Sequence, residues 1–343
     1  MRIAVMPVLV TVVSLANLDA QTDVVMKAMR DEMARSMKEL TVENLEKPYF
    51  ISYRVVDSDA VRVAAAFGAL NHSDTDHSRR LTVEVRVGDY KLDSSHFFSF
   101  DFDMGTRLRI FNGTTELCQE DDYKELRRQL WLATDSTYKK AVEDLSKKRA
   151  LLKTRSRDYE SDNFSREEPA TTTHELPAVK PDVSQWESEA RALSALFRQM
   201  PGIYTSSVSF NCFNTYTRYL TSEGASYTRR EPNVTFNTDA ATQAADGTPL
   251  DDFVWFQGRS LAEIPAQAEL AARIQAMGHY LTELRDAGTL VNYSGPLLVE
   301  GDAAAQLVRF KLVPELLGSK RTLVSMPGGQ PQNGQPGRES VPG

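Results

Sequence analysis

Two of the chain's five histidines, His72 and His77, share the stretch Asn71-His-Ser-Asp-Thr-Asp-His-Ser78. Asp74 and Asp76 lie between them, which makes this the densest set of possible metal ligands in the sequence. Imidazoles and carboxylates together suit zinc and other divalent ions. The same residue types also serve turns, because Asn, Asp and Ser side chains bond their own backbone, and we read the stretch as a polar β-hairpin loop. His96, His174 and His279 are isolated, with surface or core-satisfied roles. Asp101-Phe-Asp-Met-Gly105 begins like a calcium loop but lacks the further ligands and the closing Glu, and reads as a strand-end turn. Cys118 and Cys212 show neither C-x-x-C spacing nor a disulfide-rich pattern. In an oxidising compartment they could pair; otherwise they act as small apolar residues. There is no Gly-rich phosphate loop, no G-x-S-x-G elbow and no spacing that marks a triad. The sequence therefore assigns no catalytic, cofactor-binding or metal residue, and no cofactor is expected.

The elements that would position any site alternate in period. Gln21 to Leu45 reads as a helix, with Val25, Met29, Met33, Met37 and Leu40 on one face. At this spacing the methionines are core rather than an adaptable binding stripe. Tyr49–Val56, Val61–Phe67 and Leu81–Val87 read as strands, and Gly88-Asp89 turns the last of them back into Tyr90–Asp93. Asp121 to Lys153 is a second long helix. Leu126, Leu130, Ala133, Ser136 or Thr137, Ala141 and Leu145 mark its inner face, while Lys139, Lys140, Lys147, Lys148 and Arg149 form a solvated face matched by Glu143 and Asp144. Residues 154–185, rich in Pro, Thr and charge, read as a linker or a mobile lid.

A helix from Trp186 to Gln199 precedes a second strand-rich section: Ser206–Phe213, Arg218–Ser222, a Glu223-Gly224 turn, Val234–Thr238, an Asp246-Gly247 turn and Phe253–Phe256. Ser260-x-x-Glu263 reads as a capping box opening a helix to about Ala287, with Pro265 in its first turn. The fold class is α+β, with two successive domains of mainly antiparallel sheet packed with long helices. The expected divisions are 1–20, 21–153, 154–185, 186–324 and 325–343. The last of these is Pro- and Gly-rich and reads as a disordered tail.

Met1 to Ala20 reads as a secretory signal: Arg2, an apolar run from Ile3 to Leu15, and a Leu18-Asp19-Ala20 exit. The run is too short for a membrane span, which takes roughly 20 residues. A periplasmic or secreted location follows, with no membrane after cleavage. A formal net charge of −7 leaves no electrostatic footprint for nucleic acid.

Gly295-Pro-Leu-Leu-Val-Glu-Gly-Asp302 reads as a short buried strand and a turn into a helix capped by Asp302. After Asp302, as far as Gly318, that helix has no His or Cys and one acid, Glu315. Five segments in order carry a family resemblance: Pro48–Tyr53, Arg86–Asp93, Trp131–Ala141, Arg218–Gly224 and Tyr293–Ala305. The set resembles the TldD/PmbA family of peptidases, in a branch with signal peptides, from the end of the signal to about Leu317. The resemblance implies a metal-dependent peptidase acting on extended or unfolded peptides as a dimer of two related subunits, of which one need hold the metal. It implies His-Glu-x-x-x-His on the helix after the Ala-rich start, and a cysteine ligand from a later domain. Laid on this chain, the first His falls at Val308, the Glu at Arg309 and the second His at Val313. A catalytic zinc needs about three protein ligands and an open position. Valine offers no lone pair, and a guanidinium repels the ion.

The expectation is thus an exported homologue lacking the metal motif, non-catalytic, serving as a peptide-binding subunit or as the silent partner in a heterodimer. Two alternatives stand beside it. In one, a metallopeptidase draws its ligands from a partner chain; in the other, the sequence is the front part of a longer protein.

Overall fold

A computed structural model describes residues 23–42, 45–99, 113–154, 161–288, 292–317 and 322–325. The signal-like segment, the Asp101–Gly105 turn and the tail from Met326 lie outside the described residues. In chain order the elements are α1 (Val24–Glu39), β1 (Pro48–Ala66), β2 (Ala69–Val87), β3 (Phe97–Ser99), β4 (Thr114–Glu116) and α2 (Tyr123–Thr154). There follow β5 (Thr171–Glu175), α3 (Val183–Ala195) with a 3-10 turn Leu196–Gln199, β6 (Thr205–Thr221), β7 (Ser226–Gln243) and β8 (Pro249–Gly258). A 3-10 turn Leu261–Glu263 then precedes α4 (Gln267–Asp286), α5 (Gly301–Leu307), a π-helical turn Val308–Leu312, α6 (Val313–Leu316) and β9 (Leu323–Ser325).

Apolar alternation builds long strands. The two runs expected at Tyr49–Val56 and Val61–Phe67 are one 19-residue strand, β1, because Asp57 and Asp59 interrupt the apolar pattern without breaking the extended backbone. The stretch from Asn71 to Ser78 is not a hairpin loop. It forms part of β2, paired residue by residue with β1, from His72 against Ala64 to Ser78 against Ser58. The turn lies earlier, at Phe67 (φ 46) and Gly68 (φ 80), both in the left-handed region that tight hairpins use. The first half of β2 lies along an open margin of the sheet, where polar side chains cost nothing, so its composition imitates a loop.

Seven strands form one sheet in the order β4-β2-β1-β6-β7-β5, with β8 also on β7. The class is α+β; within this sheet every pair is antiparallel except β5 with β7, and β3 and β9 form a separate parallel pair. The two strand-rich sections share this sheet, because β1 pairs with β6 from Ser52–Thr221 to Ala65–Val208. The segment read as a linker contributes β5, and Asp182 caps α3 by accepting from Gln185 N at 3.1 Å.

All the large helices lie on one face, over two hydrophobic clusters. The first joins α1 and α2 to the near half of the sheet through Met29, Ile51, Tyr53, Val55, Leu81, Leu126 and Leu130. The second joins α3 and α4 to the far half through Val63, Trp186, Phe197, Phe210, Phe236 and Ile274. Burying each such side chain contributes about 1.5–3 kcal/mol. On α2, Lys139, Lys140 and Lys147 pair with Asp135, Asp144 and Glu143 as a solvated face should. Lys148 departs from that expectation: it is buried, and its Nζ donates to the carbonyls of Asp93 and Ser95 at 2.8 and 2.6 Å. Those bonds hold the loop after β2 against the helix.

That loop turns at Gly88 (φ 109), where a Cβ would meet the Leu92 carbonyl oxygen at 2.4 Å. Gly88→Ala is expected to destabilise the protein by about 2 kcal/mol, from backbone strain at positive φ. The midpoint of urea unfolding reads this directly.

Candidate functional site

The C-terminal helical segment differs from its sequence reading in three ways. Residues Gly295 to Val299 form no strand, and Leu297 and Leu298 are 83% and 81% exposed. Asp302 is not the cap, because Gly301 adopts φ 57 and starts the helix, leaving Asp302 in the first turn. Its Oδ2 instead accepts a hydrogen bond from Trp255 Nε1 on β8 at 2.7 Å. Finally, the helix widens into a π turn, with Val313 N donating to Val308 O. Pro314 supplies the reason: it has no N–H to give, and its ring crowds the carbonyl four residues back, at Phe310.

Along this segment Leu307, Val308, Phe310, Leu312, Leu316 and Leu317 are all solvent-exposed. The turn that the family resemblance marks as ligand-bearing presents Val308, Arg309 and Val313. Two hydrocarbon groups and a cation offer no lone pair and do not fit a divalent metal. Among the described residues, no group of three or more His, Cys, Asp or Glu side chains could hold a metal ion.

The remaining possible ligands are scattered by strand geometry. Successive residues on a strand point to opposite faces, so β2 sends His72 and Asp74 to one side of the sheet and His77 to the other. His72 Nε2 lies 2.5 Å from Asp74 Oδ1, and Asp74 also takes Arg62 at 3.0 Å. His77 Nδ1 lies 2.6 Å from Asp59 Oδ1. His174 is exposed on β5, and His279 faces Glu283 along α4. Both cysteines are free thiols, and burial pushes each above the ordinary thiol range, away from a reactive thiolate.

Two features were not read from the sequence. The first is an ionic seam between the two hydrophobic clusters, on the helix-bearing face. Asp57 on β1 accepts from Arg79 Nε at 2.5 Å and from Arg218 Nη1. Arg79 also reaches Asp121 at 2.9 Å and the Cys118 carbonyl at 3.2 Å. Arg218 donates to Asp23, the cap of α1, at 2.6 Å and lies 4.3 Å over the Tyr216 ring. Asp57, Arg79 and Arg218 are all below 10% exposure. Three carboxylates thus enclose two guanidiniums, and the seam ties α1, α2, β1, β2 and β6 together. Its signal was the pair Asp57 and Asp59 inside an otherwise apolar strand.

The second feature is the outer flank of β8. Among the described residues this strand pairs only with β7, so every second backbone N–H and C=O along it points away from the sheet. Val254 and Phe256 lean on the second cluster, while Phe253 and Trp255 stand on the opposite face at 52% and 42% exposure. The Trp255–Asp302 bond sets the start of the C-terminal helical segment beside this edge. The expected capping box does not form: Ser260 Oγ and Arg259 N donate to the Glu263 carboxylate at 2.9 and 3.2 Å, the Ser260 side chain caps no backbone N–H, and only one 3-10 turn follows. Pro265 favours an extended residue before it, and α4 starts at Gln267.

No family model matches the chain, and no curated relative matches it. Among solved structures, the chain is similar to a protein of Thermotoga maritima described as a modulator of DNA gyrase, at 10% identity and a TM-score of 0.46, covering 77% of this chain and 49% of that one. It is also similar to TldE from Thermococcus kodakarensis, at 10% identity and a TM-score of 0.45, covering 74% and 47%. A second protein described as a gyrase modulator, from Bacteroides thetaiotaomicron, gives 10% identity and a TM-score of 0.42, covering 75% and 50%. The chain spans about half the length of these structures. They belong to the TldD/PmbA grouping that the sequence segments resemble, and a likeness of this depth says nothing about activity.

Proposed function

We propose that the chain is an exported TldD/PmbA-type subunit that holds extended peptide and has no metal centre of its own. The observation that carries this reading is a juxtaposition. An open, aromatic strand edge at β8 lies beside a helix that carries Val308, Arg309 and Val313 where the resemblance places His, Glu and His, and Trp255 and Asp302 join the two. An open edge takes an extended peptide through main-chain hydrogen bonds, which requires no metal. Export rests on the Met1–Ala20 pattern.

A second reading, in which another subunit or domain completes a metallopeptidase, is favoured by the exposure of four large apolar side chains, Leu297, Leu298, Leu316 and Leu317. Apolar surface of that kind marks protein contacts.

The purified chain is expected to carry far less than one zinc per molecule by elemental analysis. It should leave an unfolded casein substrate intact while shifting the anisotropy of a labelled extended peptide. Stoichiometric zinc together with chelator-sensitive cleavage by the pure chain would refute the proposal.

A further inference from the structure

The flank of β8 has a charge pattern that selects among peptides; this inference rests on the peptide-holding reading above. On the open face of the sheet β8 presents Asp251, Phe253 and Trp255 in sequence, and on the helix-bearing face Asp252, Val254 and Phe256. Asp239 of β7 stands opposite Phe253 and diagonal to Asp251. Desolvation by the surrounding strands, and then the neighbouring Asp251, push the Asp239 carboxyl above its ordinary range. Near this end of β8, beside Gly202 and Thr242, Arg285 is committed to Asp286 at 3.5 Å and to the Pro201 carbonyl at 3.2 Å. Among the described residues, no ion pair involves Asp239, Asp251 or Asp252.

A strand added outside β8 places consecutive side chains on opposite faces. Two adjacent cations would therefore meet Asp251 on one face and Asp252 on the other. The next open-face positions would lie beside Phe253 and Trp255, where cross-strand aromatic and aliphatic pairs are favourable. We infer that β8 accepts a peptide strand carrying two adjacent basic residues against Asp251 and Asp252, followed by alternating apolar residues beside Phe253 and Trp255. The carboxylates set the register and the aromatic side chains supply contact area.

The test uses the full chain and dye-labelled peptides of sequence Lys-Lys-Phe-Thr-Leu-Thr, made in both chain directions, with Glu-Glu and Thr-Thr counterparts. Fluorescence anisotropy should show the Lys-Lys peptide binding about five- to tenfold more tightly than the Glu-Glu peptide, the effect of two exposed charge pairs. That preference should vanish in the Asp251→Asn/Asp252→Asn protein and fade at high salt. Equal binding of all three peptides would overturn the inference while leaving strand addition standing. Failure of every peptide to bind would overturn strand addition at β8, and the charge preference with it.

Discussion

Asp57→Ala is expected to lower the unfolding free energy by about 3–5 kcal/mol, the usual consequence of removing one partner from a buried ion pair. Asp57 bridges Arg79 and Arg218, whose side chains are 6% and 10% exposed. Without it, Arg218 keeps only Asp23, and Arg79 keeps Asp121 and two backbone carbonyls, at the dry junction of two cores. The loss comes from stranded charge and not from a deleted attraction. Replacing Asp57, Arg79 and Arg218 together by apolar residues of similar size should therefore cost much less than the single change. Urea unfolding of the two proteins separates the effects, and a loss below about 1 kcal/mol for Asp57→Ala would contradict the stranded-charge account.

The second large effect concerns Asp93 at the end of the same strands. This side chain is fully buried. Burial alone would raise its pKa, but hydrogen bonds from Ser95 and Tyr49 and the charge of Arg86 outweigh that and hold it below the ordinary carboxyl range. Arg86 Nη1 lies 3.0 Å away, with its guanidinium carbon 4.0 Å from the Phe164 ring centroid. A depressed carboxyl pKa contributes stability in full above the unfolded value near 3.8, and that contribution is lost as pH falls through the lower folded value. Asp93→Asn should cost about 2–3 kcal/mol at pH 7, because Arg86 loses its enclosed counter-charge. The gap between the two proteins should close as the pH drops from 4 towards 2. Paired urea titrations across that range test the point; a gap unchanged at pH 2 would mean that the carboxylate charge is not the source.

Much of this architecture can be read from residue periodicity. The Met29–Met33 stripe and the Leu126–Leu130 face set α1 and α2, and Gly224 and Gly247 mark the turns where β7 begins and ends. What periodicity hides is position within a sheet. A polar run such as Asn71–Ser78 is indistinguishable from a loop until it is known to line an open margin, where both faces of the strand are wet. The turn at Phe67-Gly68 escaped because an aromatic residue at positive φ breaks the usual turn chemistry. Asp302 looked like a cap because cap preference is local, whereas its partner Trp255 comes from a distant strand. The seam was hidden for the same reason: Asp57, Arg79 and Arg218 meet only once three strands lie side by side. The valines at positions 308 and 313, in contrast, are plain in the sequence.

The long β1–β6 pairing has a consequence for biogenesis. During synthesis, the β1–β2 ribbon is complete once Val87 has emerged, yet its inner margin must wait for Thr205–Thr221 before it is covered. Such distant pairing is slow to form, and an unpaired strand margin invites wrong partners. Nascent chains halted before β6 should therefore be retained by chaperones, whereas chains that extend past Thr221 should be released.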